Sequence, residues 1–286
     1  MVYNESSLMK GFIAMKLKRI LCILLAALLL TGCNAAPAET TAPSTGDDDM
    51  LSKDRTYNIL FIGNSYTFYN DMPTAYFEAM ARACGYDIRV TTITKGAYTL
   101  EKFADPADAY GKMVDTALSV SGSFDYVILQ EQSVRPAVSP DAFHGAVRNL
   151  AERIRAVDAQ PILYATWGRQ TGSDTLTKYE LTNETMTYKL AASYAAIGQE
   201  LDIPVIHTGL AFYEVNTGSN IKLYNADLSH PSPEGSYLAA MMLFCGIFDL
   251  DPVTAPFSGS LSAEEDSIVR TAAANALQSP KIPEIS

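Results

Sequence analysis

Residues 57–67 read YNILFIGNSYT. The first six are rich in aliphatic and aromatic side chains, and the run stops at Gly63-Asn64-Ser65. A short apolar run closed by turn residues is the pattern of a strand buried on both faces. Similar runs follow at Ile88–Ile93, Tyr126–Gln130, Pro161–Thr166 and Ile203–Ile206. Between them lie helical patterns. In Ser139–Val157, Phe143, Val147, Leu150, Ile154 and Val157 recur at spacings of four and three, and Met186, Leu190, Tyr194, Ile197 and Leu201 do the same within Tyr179–Leu201. Ser232-Pro233-Glu234 is a helix start with Ser at the cap and Pro in the first turn; the following Tyr237–Leu250 is apolar nearly all round, hence buried. Ser262–Leu277 forms a last, more polar helix. This alternation predicts an α/β fold with a parallel sheet covered on both faces.

Open α/β sheets bind ligands just beyond the carboxyl ends of their strands, so the chemistry is sought after each run. Ser65, directly after the first strand, can present its hydroxyl at the sheet edge, and Gly63 permits a tight turn of backbone N–H groups around an oxyanion. Alone, the segment fits a glycine turn with a capping serine equally well. The chain has no G-x-S-x-G elbow, which argues against an α/β-hydrolase. Far downstream lies Asp227-Leu228-Ser229-His230-Pro231. Pro231 pushes His230 out of helical angles, and an Asp three residues earlier can fold back on the ring and fix its tautomer. There are three histidines. His144, with Arg148 and Glu152 on an outward helical face, reads as solvated. His207 follows the fifth strand and is the rival base, but the Asp favours His230.

An early Gly-Asn-Ser after the first strand and a late Asp-x-x-His before the last core helices resemble the SGNH (GDSL-like) hydrolases, over roughly Asn58 to Phe248. The resemblance implies a flavodoxin-like three-layer α/β/α sandwich with a five-stranded parallel sheet, and ester hydrolysis through an acyl-serine. Residue by residue, it makes Ser65 the nucleophile, His230 the general base and Asp227 its orienter. It joins the N–H of Ser65 to that of Gly96, in Thr94-Lys95-Gly96-Ala97, as the oxyanion hole. The family's third block carries an Asn, where this chain reads Leu129-Gln130-Glu131-Gln132-Ser133. Gln132 is the candidate for the missing side-chain donor and Gln130 the alternative. Asn64, Gln130, Trp167 and His207 are further candidates for the substrate pocket; core packing is an equal reading of Trp167, and a structural role is an equal reading of His207. Glu131 reads as a capping or surface carboxylate, and Tyr66, Tyr69 and Tyr76 as packing. The mechanism needs no metal or cofactor, and no CxxC pair, HExxH or phosphate-binding glycine loop occurs.

The 286 residues, 48% hydrophobic, suffice for one large domain, 55–286, behind an N-terminal appendage. Residues 16–33, KLKRILCILLAALLLTGC, combine a basic start with an apolar run from Ile20 to Leu30. The run is too short for a membrane helix, which needs roughly 20 residues, so residues 1–32 are expected to be an export signal. Met15, close to the basic cluster, is a candidate start. Leu30-Thr31-Gly32-Cys33 resembles a bacterial lipobox, implying a lipid thioether on Cys33 and an extracytoplasmic, membrane-anchored lipoprotein. Residues 33–54 are small, polar and acidic, the composition of a disordered tether. Cys84 and Cys245 are expected as buried free thiols. The formal charge of −11 repels phosphate backbones, which argues against a nucleic-acid partner. Family analogy and export together point to a short acyl group, such as acetyl, on a glycan ester. A lipase or thioesterase of the same fold, or an inactive glycan-binding lipoprotein, are the alternatives.

Overall fold

The computed structural model describes residues 51–283. The segments expected to be an export signal and, up to residue 50, a tether, and the Cys33 expected to carry a lipid, lie outside the described residues. Residues 51–54, the end of the stretch read as tether, already touch the domain: the Ser52 carbonyl accepts from the Tyr57 hydroxyl at 2.9 Å, and Lys53 Nζ stands 5.1 Å from the Tyr86 ring centroid.

Five strands build one sheet: β1 Thr56–Gly63, β2 Asp87–Thr94, β3 Tyr126–Leu129, β4 Gln160–Tyr164 and β5 Val205–Ile206. All neighbours pair in parallel, in the order β2-β1-β3-β4-β5. Side chains alternate across it with the period of two that a pleat imposes. Tyr57, Ile59 and Phe61 enter one hydrophobic core, whereas Leu60 and Ile62 enter the other. Each core is closed by helices, which makes the three-layer α/β/α sandwich expected from the sequence.

The helices used below are α1 Ser65–Phe68, α2 Pro140–Arg155, α3 Asn183–Leu201, α4 Thr208–Gly218, α5 Pro233–Phe248 and α6 Ala263–Gln278. Helices α4, α5 and α6 cover the first face, and α2 and α3 the second. The Ser232 hydroxyl caps α5 by accepting from Gly235 N at 3.1 Å, and the helix is buried nearly all round, as its apolar composition demands. Helix α3 starts later than its periodicity suggests. Glu180 takes a left-handed φ of 52°, which interrupts the chain, and Thr182 then caps the helix in a box with Thr185. Helix α4 was not anticipated from the pattern, because TGLAFYEVNTG shows no clear apolar stripe.

Strand order 2-1-3 places a switch of direction between β1 and β3, where such sheets open a crevice at their carboxyl edge. Gly63 pairs with Thr94 and Ile62 with Leu129. Counting outward from these rungs, Ser65, Gly96 and Gln132 leave the sheet at one level. Cys84 and Cys245 are buried free thiols, and burial pushes Cys245 up to about 12. His144 is half-buried rather than fully solvated; its Nε2 meets the Ser193 carbonyl at 2.9 Å and ties α2 to α3. No described helix is long and apolar enough to cross a membrane.

At the amino end of the sheet, Phe248 packs on Tyr57, Tyr86, Tyr126 and Phe244, with centroids 4.5–6.4 Å apart. Removing a buried Phe costs about 3–5 kcal/mol. Phe248→Ala is therefore expected to lower Tm by roughly 10 °C. Thermal unfolding followed by circular dichroism checks this, and an unchanged Tm would show that the aromatic cluster contributes little.

Candidate active site

Ser65 opens α1, the short helix that follows β1. Asn64 caps that helix, its Oδ1 accepting from Tyr66 N at 3.2 Å, while its Nδ2 donates to the Tyr98 carbonyl at 3.0 Å. The turn rests on Gln130. This fully buried side chain takes the Asn64 N–H at 2.8 Å and the Thr67 hydroxyl at 2.9 Å on one oxygen, and its Nε2 donates to the Glu131 carbonyl. Gly63 is required by that close approach rather than by a special turn, since a Cβ there would stand 2.5 Å from Thr67 Oγ1 and 2.7 Å from Gln130 Oε1. Asn64 and Gln130 thus brace the nucleophile turn from below, and neither faces a substrate pocket.

His230 reaches Ser65 across the edge. Its Nε2 lies 2.8 Å from Ser65 Oγ and its Nδ1 2.5 Å from Asp227 Oδ2. With the Nδ1–H given to the carboxylate, Nε2 is left to accept the serine proton. The other Asp227 oxygen accepts the N–H groups of Ser229 (3.1 Å) and His230 (2.9 Å). Partial burial alone would raise the Asp227 pKa, but these bonds and the His230 charge outweigh it, so it is lowered and Asp227 stays ionised at neutral pH.

The Asp-x-x-His loop is held from several sides. Leu228 sits at a left-handed φ of 60°, a conformation disfavoured for a side chain with a Cβ, and accepts from Gln170 N at 2.9 Å. Trp167 Nε1 donates to the Ser229 carbonyl at 3.1 Å, and the Tyr66 and Ser229 hydroxyls lie 2.8 Å apart. Asn70 and Asn225 both donate to the Pro231 carbonyl. The Tyr69 ring stacks on His230 at 4.5 Å with planes 16° apart. Sequence reasoning gave Tyr69 only a packing role; its place four residues after Ser65, one helical turn on, was the available signal.

Two other pocket candidates are corrected. Trp167 is wholly buried, sandwiched between Tyr66 (4.7 Å, 8°) and Phe212 (4.0 Å, 5°), so it supports the loop and is no pocket wall. His207 is buried before α4 with its Nδ1 unpartnered, and burial lowers its pKa to about 4, leaving it neutral. His230, not His207, meets Ser65.

Ser65 N–H and Gly96 N–H, level at adjacent strand ends, donate to no other described residue. A Cβ on Gly96 would meet nothing within 4 Å, so the space on its side-chain side is open. Gln132, three residues beyond the end of β3, donates from Nε2 to Ser133 Oγ at a long 3.3 Å and accepts the Val134 N–H on Oε1 at 3.2 Å; a second Nε2 hydrogen remains. Glu131 is buried and caps the Leu100–Ala104 helix, both its oxygens 3.2 Å from Leu100 N. Among the described residues no group of three His, Cys, Asp or Glu is placed to hold a metal ion.

Comparison with known proteins bears on the fold and the family. A protein from Slackia heliotrinireducens, provisionally classed as an SGNH hydrolase, is 32% identical over 66% of this chain and 98% of its own, with a TM-score of 0.58. A DUF4886 family protein from Bacteroides uniformis shares the fold at 19% identity, over 81% of this chain and 98% of its own, with a TM-score of 0.68. No protein-family model and no curated protein matches the chain. The sheet order and the assembled Ser, His and Asp define an α/β hydrolytic enzyme of the flavodoxin-like type. The chain belongs to the SGNH hydrolases.

Burial is the main cause that raises Glu131 from 4.5 to about 7, against the backbone N–H groups that favour its charge. A carboxyl raised on folding contributes stability that is fully present below its unfolded pKa and is lost as the pH rises through the folded one. Glu131→Gln is expected to flatten the decline in Tm between about pH 4.5 and 7. Thermal melts across that window check it, and an undiminished slope would assign the decline to other groups.

Proposed function

We propose that the protein is a serine ester hydrolase that works through an acyl-serine intermediate. The observation that carries this reading is the continuous hydrogen-bonded chain from Asp227 through His230 to Ser65. In acylation, His230 Nε2 takes the Ser65 proton as Oγ bonds to the ester carbonyl carbon, and Asp227 stabilises the imidazolium. The carbonyl oxygen gathers negative charge opposite the free N–H groups of Ser65 and Gly96, with the remaining Nε2 hydrogen of Gln132 as third donor. The tetrahedral adduct collapses, His230 returns its proton to the departing alcohol, and the acyl group stays on Oγ. Water, deprotonated by the same histidine, then releases the acid and restores the Ser65 hydroxyl.

The third donor is the unusual part. A side-chain donor in an oxyanion hole is worth about 2.7–4 kcal/mol. Gln132 is one methylene longer than asparagine and holds Ser133 Oγ only at a long 3.3 Å, so its amide keeps a hydrogen to give to the carbonyl oxygen. For the substrate, we favour short acyl groups, such as acetyl, on a glycan. The support is the export and lipobox pattern of residues 16–33, which would hold the domain outside the cell through a lipid on Cys33.

The full chain, kept in nonionic detergent, is expected to hydrolyse p-nitrophenyl acetate, and Ser65→Ala to lower kcat/KM by at least about 10³-fold. Equal rates for the two proteins would overturn the reading.

A further inference from the structure

Arg169 stands apart from the other described arginines. Arg55, Arg135, Arg148, Arg153 and Arg270 pair with carboxylates, Arg155 donates to two carbonyls, and Arg82 and Arg89 are exposed. Arg169 is half-buried, has no carboxylate within ion-pair distance, and donates from its side chain only to Ser133 Oγ, at 3.2 Å from Nη2. Its Nε is buried without a partner. A guanidinium taken partly out of water with nothing to answer its charge is unfavourable, so its retention calls for an anion.

Its surroundings are those of the reacting groups. Arg169 lies on the loop after β4, whose next residue, Gln170, is bonded to Leu228 of the Asp-x-x-His loop. Ser133 lies on the loop after β3, beside Gln132. The Tyr66 hydroxyl, one residue from Ser65, feels the Arg169 charge and the Ser133 hydroxyl after the dominant effect of burial, and feels Asp227 less. Asp227 makes no ion pair with Arg169; its carboxylate is engaged with the N–H groups of Ser229 and His230 and with the His230 ring. The arginine is also held in place. Asn183 Nδ2 donates to the carbonyls of Gly168 (3.1 Å) and Arg169 (2.8 Å), Tyr224 Oη donates to Gly168 O at 2.8 Å, and Arg169 N donates to Met186 Sδ. Strands in a sheet are about 4.8 Å apart, so β4, two places from β1, lies roughly 10 Å from the strand that presents Ser65, and Arg169 follows on the loop five residues beyond the end of β4. The spacing of the two strands is about the reach of one ring and its substituents.

We propose that Arg169 and the Ser133 hydroxyl form a carboxylate-binding subsite beside Ser65, so that the enzyme selects esters bearing a carboxylate about one ring from the reacting carbonyl. The planar fork of arginine suits the two oxygens of a carboxylate, and the neighbouring hydroxyl adds a donor. The carboxylate can belong to the alcohol portion, as in an acetylated acidic sugar, or to the acyl group, as in a hemiester of a dicarboxylic acid. This selectivity rests on Ser65 being the nucleophile; the subsite itself does not.

Two substrate pairs separate the sources. Phenyl acetate against 3-acetoxybenzoate places the charge on the alcohol, and p-nitrophenyl butyrate against p-nitrophenyl hemiglutarate places it on the acyl group. With the full chain in nonionic detergent, Arg169→Met is expected to lower kcat/KM for the charged member of one pair at least ten times more than for its neutral partner, chiefly through KM. Arg169→Lys should lower it less. Added salt should weaken the preference of the unmutated enzyme, a readout independent of how the variants fold. Equal losses on both members of both pairs would overturn the subsite. Should no ester be hydrolysed, calorimetric titration of 3-hydroxybenzoate and glutarate decides it separately. One of them is expected to bind Ser65→Ala and to lose at least tenfold in affinity when Arg169→Met is added. Equal binding to the two proteins, or none to Ser65→Ala, would overturn it.

Discussion

Beyond the last rung of a parallel sheet, backbone N–H and carbonyl groups lose their ladder partners and need others. In this protein side chains from the strand ends supply them. Gln130 takes the N–H of Asn64, Asn64 holds the Tyr98 carbonyl and the Tyr66 N–H, and Glu131 takes the N–H of Leu100. These bonds lock the loops after β1, β2 and β3 to one another. Because the three strands are level, the same bonds fix where Ser65 and the free N–H of Gly96 stand. Reactive geometry here is a by-product of satisfying an exposed sheet edge.

The second half of the site comes from a loop far along the chain, and its placement relies on aromatic surface rather than on the sheet. Phe212, Trp167 and Tyr66 form a continuous stack, and the polar tips of the last two grip Ser229. The strained backbone at Leu228 survives because its neighbours on both sides are tied down. Tyr66 joins the two halves: its backbone belongs to the helix that carries Ser65, and its hydroxyl to the loop that carries His230. The acid, base and nucleophile are thus referred to one rigid frame.

Much of this was legible in the sequence. Apolar runs closed by turn residues located five strands, and the partnership of Ser65 with Asp227 and His230 followed from two short motifs, each ambiguous alone. What stayed hidden depended on loop geometry. Gln130 and Gln132 differ by two positions, and spacing alone could not tell that one lies under the nucleophile turn and the other level with the serine. Asn64 looked like a pocket residue because polarity in a motif suggests substrate, whereas its amide caps a helix. Trp167 had two equal readings until its neighbours, Tyr66 and Phe212, were known. Helix α4 escaped because a helix wedged between others carries no one-sided apolar stripe. Arg169 could not be distinguished from a surface arginine, since an absent partner leaves no trace in sequence.

Trp167 is the single tryptophan of the chain, and it touches both halves of the site. Its indole N–H is bound to the residue beside His230, and its ring lies flat on the residue beside Ser65. The protein therefore carries an intrinsic fluorophore at the junction of base and nucleophile. Its emission reports, without any label, whether the histidine loop is docked.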